Sequence, residues 1–192
     1  MSKTLIVKYT PREGSNTAKI VDAFTDSSRA EVVIRDLSQG RSPLLGAKEM
    51  KTWWGEAADN KLERASSEYI AELKEADHIV IATPMYNWGL PATVKAWFDA
   101  VIRGGKTFEF KEDGPKGLLK ASSATIIVTT GMITLGSEAD QLTPNVKQMP
   151  GIMGVTEGNI IAAENLMMST KEEAEAAVEG AIAKAKEHAK TI

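Results

Sequence analysis

The chain has 192 residues, 43% hydrophobic and 26% charged, and its 23 basic and 26 acidic side chains leave a net charge of -3. That length predicts one domain with a substantial core over residues 1–192, and the charge balance gives no electrostatic footing for nucleic acid, which selects clustered positive charge. There are no cysteines, which excludes disulfides and thiolate chemistry and fits a cytoplasmic protein; no apolar run approaches the roughly 18–20 residues that span a bilayer, and the apolar stretch in MSKTLIVKYT is too short for a signal peptide.

KTLIVKYT, Lys3 to Thr10, is a short β-rich apolar run and predicts the first strand. SNTAKIVDAF, Ser15 to Phe24, predicts a helix capped by Ser15 or Asn16. AEVVIRDL, Ala30 to Leu37, predicts a second strand. Leu62, Tyr69, Ile70 and Leu73 fall mainly on one face of a helix over Leu62 to Glu75. HIVIATP, His78 to Pro84, is nearly all apolar, as a central parallel strand must be. Val94, Trp97, Phe98, Val101 and Ile102 then mark a helix that starts near Pro91 and stops at Gly104-Gly105. SATIIVTT, Ser123 to Thr130, and GNIIAAENL, Gly158 to Leu166, predict the fourth and fifth strands. The last helix begins near Ser169 or Thr170, where Thr170 and Glu173 have capping-box spacing. Two long connections, 38–60 with Trp53 and Trp54, and 131–155, are of the length that is functional or locally folded. The Trp pair fits core, interface or lid, with interface or lid favoured because it sits in a polar connection.

Alternating strands and helices predict an α/β fold: a doubly wound, three-layer sandwich around a five-stranded parallel sheet. Ligands in such folds bind beyond the carboxyl ends of the strands. After the first strand comes TPREGSNT, Thr10 to Thr17, just before a helix N-terminus. Free amides there favour phosphate, with Ser15, Asn16 and Thr17 as donors and Arg12 as a charge; taken alone, the loop fits helix capping equally well. No GxGxxG follows the first strand, and RGGKT, Arg103 to Thr107, lacks the rest of a P-loop and follows a helix. His78 and His188 belong to no recognisable metal cluster or triad. No metal site and no catalytic acid or base is assigned.

After the third strand comes PMYNW, Pro84 to Trp88, and then LPATVKAWFDAVIRGGKTF and GPKGLL, ending at Leu119. This stretch, with GIMGVT at Gly151 to Thr156, resembles the FMN-dependent NADH:quinone oxidoreductases and azoreductases, which have a flavodoxin-like fold. The resemblance places Pro84, Met85, Tyr86, Asn87 and Trp88 along the edge and face of a flavin ring. It places Arg12, Ser15, Asn16 and Thr17 at its phosphate. A ring with an apolar end and a polar end suits thioether and aromatic packing on one side and amides on the other. Asn87 read by itself is equally a turn-forming asparagine. The family's phosphate loop is richer in serine. Where the family has a serine-arginine-glycine-glycine turn after the fourth strand, this chain has TTGMI, so Thr129, Thr130 and Gly131 are assigned to the flavin border.

The resemblance implies FMN as cofactor and NADH or NADPH as electron donor. Quinone, azo or nitroaromatic molecules would be the acceptors, and a homodimer the working unit. A flavodoxin-type electron carrier shares the fold and the site; the extension over 107–116 argues against it, since a carrier needs an open flavin edge. A third possibility is a flavin-free module binding another ligand at the same strand ends.

Overall fold

The computed structural model describes residues 1–40, 42–53 and 61–192. In chain order the elements are β1 (Lys3–Lys8), α1 (Asn16–Ser27), β2 (Glu31–Asp36), α2 (Ala47–Trp53), α3 (Lys61–Glu75), β3 (His78–Pro84), α4 (Ala92–Val101), β4 (Phe108–Lys111), β5 (Gly114–Gly117), β6 (Ser123–Thr129), α5 (Leu142–Ile152), β7 (Glu157–Ala163) and α6 (Lys171–Ala189). Five strands form a parallel sheet in the order β2-β1-β3-β6-β7; β4 and β5 pair separately as an antiparallel hairpin.

The core divides as strand alternation requires. Leu5 and Val7, Ile79 and Ile81, and Ile126 and Val128 face α3, α4 and α5, where Trp97 and Phe98 lie fully buried in edge-to-face contact. Ile6, Val80, Ala82 and Ile127 face α1 and α6, meeting Phe24, Val178, Ala181 and Ala185. Small residues on α6 bring it close to the sheet. The expected three-layer sandwich is therefore present, with helices on both faces.

Three parts of the fold have no clear sequence signal. α5 runs through Pro150 and is capped by Asp140, whose Oδ1 accepts the amide hydrogens of Leu142 and Thr143 at 3.0 and 2.9 Å. α2 is short, and the β4–β5 hairpin is polar and Gly-rich. α4 ends at Val101, before the two glycines expected to stop it; Gly105 instead takes the left-handed conformation, at φ 74°. Trp53 ends α2 and packs against the core, with the Arg103 guanidinium 4.1 Å above its ring and paired to Glu63 at 2.9 Å. A cation held over an indole and neutralised by a carboxylate ties the end of α2 to α3 and to the segment after α4. Trp53 thus packs within the chain while remaining half-buried; Trp54 lies outside the described residues.

The two histidines meet at the amino end of the sheet, far from the ends where a ligand would bind. His78 is 4% exposed. Its Nδ1 bonds Ser123 Oγ and its Nε2 bonds Thr125 Oγ1, each at 2.8 Å, and Thr125 Oγ1 also bonds His188 Nε2 at 2.8 Å. One hydroxyl proton between two imidazoles requires one ring to donate and the other to accept, which neutral tautomers satisfy. Burial, then the neighbouring His188, pushes the His78 pKa down to about 4; burial also lowers that of His188. The folded-state pKa of His78 lies below the unfolded value of about 6.5. The unfolded chain therefore takes up the proton first as pH falls, and stability is lost from about pH 6.5 down to about pH 4. Urea unfolding should show His78 removing about 2 kcal/mol between pH 7 and pH 5, and His78→Gln should remove that part of the slope. An equal slope in the variant would place the titration elsewhere.

Candidate active site

A cleft of about 620 Å³ opens at the carboxyl ends of β1, β3 and β6. All twelve residues assigned to the site from the sequence line it: Arg12, Ser15, Asn16, Thr17, Pro84, Met85, Tyr86, Asn87, Trp88, Thr129, Thr130 and Gly131. The volume is within the range of small-molecule and cofactor pockets. Pro11, Met132, Ile133, Leu166 and Met167 complete the wall.

One end of the cleft is polar. Ser15 caps α1, its Oγ accepting the Ala18 amide hydrogen at 3.3 Å. The hydroxyl proton of Ser15 and the amide of the Asn16 side chain engage no other group among the described residues. The backbone N–H groups of Asn16 and Thr17, in the first turn of a helix, have no intrahelical acceptor. Arg12 is exposed and is the one charged side chain among the described lining residues. Capping and anion binding, which the sequence left as alternatives, are compatible in this geometry because capping uses only the lone pair of Ser15. The hydroxyl of Thr17 is committed elsewhere: it bonds Thr129 Oγ1 at 2.8 Å in the buried floor. Thr17 can therefore offer a backbone N–H more readily than its side chain. Thr130 is likewise structural, its Oγ1 accepting the Asn165 amide hydrogen at 3.1 Å and donating to Ile133 O at 2.5 Å.

The other end is aromatic and built on a strained turn. Met85 N–H donates to Thr129 O at 2.8 Å, which fastens the end of β3 to β6. Tyr86 and Gly89 then exchange backbone hydrogen bonds at 3.0 and 3.1 Å around Asn87 and Trp88. Both central residues have positive φ, 46° at Asn87 and 67° at Trp88. This is the pattern of a two-residue type I′ hairpin turn. Asparagine tolerates that conformation; a tryptophan there costs of order 1–3 kcal/mol. The turn is held additionally by Gln141 N–H donating to Trp88 O at 3.1 Å. Strain kept in this way presents the Trp88 indole, 52% exposed, at the cleft wall, with Tyr86 beside it and in edge contact with Tyr9 at 6.3 Å.

Beyond Met85, the loop after β7 adds apolar groups that carry no signal in the sequence, Leu166 and Met167. Met167 N–H donates to Gly131 O at 2.8 Å, and Leu166 N–H to Thr130 O at 3.0 Å, which draws the loop after β7 against the loop after β6. Leu166 ends the strand predicted from the sequence and Met167 follows it, and nothing in their spacing marks them; only the strand order puts them at the cleft.

The sequence matches a family described as having the flavodoxin-like fold over residues 2–189. It is 38% identical over 168 residues to an FMN-dependent NADH:quinone oxidoreductase from Pseudoalteromonas atlantica (strain T6c / ATCC BAA-1087), covering 81% of this chain and 82% of that one. The chain belongs to the FMN-dependent NADH:quinone oxidoreductase family. The fold agrees. The azoreductase from Bacillus anthracis str. Sterne superposes with a TM-score of 0.87 at 23% identity, covering all of both chains. An FMN-dependent NADH-azoreductase from Bacillus anthracis str. Ames Ancestor, in complex with FMN, gives 0.83 at 19% identity over 98% of each chain. At these identities the two structures bear on the fold alone. In this family member the flavodoxin-like architecture puts the ligand cleft at the strand ends where the winding reverses, between β1 and β3. Among the described residues no helix is long and apolar enough to cross a membrane.

Proposed function

We propose that the cleft holds FMN and that the protein passes two electrons from NADH or NADPH to a quinone, an azo compound or a related aromatic acceptor. The observation that carries this reading is the division of the cleft: free donors at the α1 N-terminus at one end, a Tyr86–Trp88 wall at the other, and a floor closed by the Thr17–Thr129 bond. A phosphorylated molecule with a flat, partly apolar ring fits that division. Ser15, Asn16 and Arg12 would hold the phosphate; Met85, Tyr86 and Trp88 would pack the ring; Asn87 and the backbone of its turn would meet the ring's polar edge. FMN, when bound, supplies reversible two-electron chemistry; the chain supplies binding, orientation and an apolar wall for the second reactant. The functional unit is taken to be residues 1–192 as one domain, in the cytoplasm, and as a homodimer. The support for pairing is what the sequence resemblance implies, together with apolar side chains left in solvent, Leu44 and Phe110. Light scattering should then return about twice the 20.7 kDa chain mass.

The deciding experiment is the visible spectrum of freshly purified protein followed by turnover. Yellow protein that releases FMN on heating, and that oxidises NADH steadily with a soluble quinone, supports the reading. Colourless protein that does not take up added FMN overturns it. Bound FMN without steady NADH oxidation would favour an electron carrier.

Asn87 gives a separate prediction. Because it occupies a left-handed turn position, Asn87→Ala should cost about 1 kcal/mol of stability for the turn alone, so loss of melting temperature in that variant says nothing about a ligand. Asn87→Gly keeps the conformation and deletes only the amide. It should leave the apoprotein's urea midpoint nearly in place and weaken FMN and riboflavin alike, by about tenfold for one net hydrogen bond. Wild-type affinity in Asn87→Gly would leave Asn87 as a turn residue only.

A further inference from the structure

The loops after β6 and β7 carry thioethers that the fold does not need. Met167 is 79% exposed and Met132 56%, although both line the cleft. An apolar side chain left in solvent at the rim of a ligand cleft is placed to be covered by what enters. Met167 lies directly over Gly131: a Cβ built on Gly131 would lie 2.7 Å from its Sδ and 3.1 Å from its Cγ, so a methyl there would push the thioether off this position. Its backbone is fixed to the same glycine through the 2.8 Å bond to Gly131 O. Gly131 and Met167 thus form one unit, with a fixed base and an unbranched, polarisable tip. Such a tip adapts to flat rings of differing outline.

We propose that Met167, seated on Gly131, is a specificity-determining residue that contacts the distal ring of bicyclic aromatic acceptors and sets their preference over single-ring ones. This rests on the reading of the cleft as an FMN site. The aromatic wall from the loop after β3 and the thioether wall from the loops after β6 and β7 bound the space from two sides. With FMN packed on the first wall, a single-ring acceptor would leave Met167 uncovered and a second fused ring would cover it. The contact is apolar and equal in ground and transition states, so it appears in KM and not in kcat.

The test compares kcat/KM for a naphthoquinone with that for a benzoquinone, at saturating NADH, and records FMN per chain from the visible spectrum. Met167→Ala should lower the naphthoquinone-to-benzoquinone ratio about fivefold, through KM, as expected for losing burial of part of one apolar side chain. Met167→Leu, apolar and of similar volume, should restore the ratio to within about twofold. Gly131→Ala should lower the ratio as well, because its methyl takes the thioether's place, and it should have no further effect in a Met167→Ala background. Ratios that stay constant in FMN-loaded variants overturn the inference and leave the FMN reading intact. So does a Gly131→Ala effect that persists without Met167. Protein that binds no FMN removes the reading and the inference together.

Discussion

Gly117→Ala should destabilise the protein by about 3 kcal/mol, the upper end of what overpacking costs, and lower its Tm by roughly 6–12 °C. A Cβ at Gly117 would lie 2.1 Å from Gly154 N and 2.2 Å from Gly154 Cα and Met153 C. All three are backbone atoms and cannot rotate away. Gly154 itself is in a left-handed conformation, at φ 100°, just after α5. Relief therefore requires moving the end of β5 off the turn. That would break the bond from Leu119 N–H to Met153 O at 3.2 Å and strain the one from Leu118 N–H to Thr107 O at 2.9 Å. Gly180→Ala is the contrasting case. It lies within α6 with nothing near its built Cβ, and it should stabilise by about 0.5–1 kcal/mol through the helix preference of alanine. Neither residue lines the cleft, so FMN affinity below the unfolding transition should follow neither change. A Gly117→Ala protein with the wild-type urea midpoint would mean that the two glycines do not press together in solution.

That contact also explains why the sequence was legible where it was. GPKGLL and GIMGVT stand out as family-like segments, yet neither has an apolar period or a chemical group that accounts for it. In the fold Gly117 of the first rests on Gly154 of the second, and their shape is a packing requirement. The five sheet strands were readable because each contains a short apolar run, continuous and buried in β1, β3 and β6 and only partly covered in the edge strands β2 and β7, and α1, α3, α4 and α6 because their buried residues recur at helical spacing. α5 was not, because Pro144, Pro150 and Gly151 interrupt it and its cap, Asp140, lies in a run of polar residues. In the β4–β5 hairpin the alternation lasts only four residues, Phe108-Glu109-Phe110-Lys111, with Phe110 exposed, and β5 has Gly at both ends, which is too short and too polar a pattern to mark a strand pair.

The site was legible to the same degree and for the same reason. Residues next to a strand end announce themselves, as Ser15 to Thr17 and Pro84 to Trp88 do. Asn87 and Trp88 were visible as residue types but not as a left-handed pair, since nothing in the sequence requires tryptophan at positive φ. Met167 reaches the cleft only because β7 is placed beside β6, a fact of topology. The hydroxyls of Thr17 and Thr129 looked like two ligand groups and instead bond each other. The polar end of the cleft thereby reduces to a smaller set of donors.

Ser15→Asp isolates that set. Aspartate caps helices as well as serine, so its carboxylate should take over the Ala18 amide hydrogen and hold α1 in place; stability should change by less than about 0.5 kcal/mol. The same carboxylate removes the one hydroxyl donor at the helix end and puts a negative charge within a few ångströms of where a phosphate would sit. Repulsion of that kind is worth of order 1–4 kcal/mol, and the lost charged hydrogen bond about 1.5–3 kcal/mol more. FMN should therefore bind more weakly by about sixtyfold or more. Asn16→Ala, which removes an amide with no other partner and adds no charge, should weaken FMN by about tenfold to a hundredfold. Riboflavin has the ring and ribityl chain without the phosphate, and it should bind wild type and both variants almost equally. The ratio of FMN to riboflavin affinity is thus the quantity to measure, by quenching of flavin fluorescence. A ratio that collapses in Ser15→Asp, with the urea midpoint held, assigns the α1 N-terminus to the phosphate. Parallel weakening of both flavins, with a lowered midpoint, would return Ser15 to helix capping alone and move the anion site elsewhere in the cleft, with Arg12 the remaining charge to test.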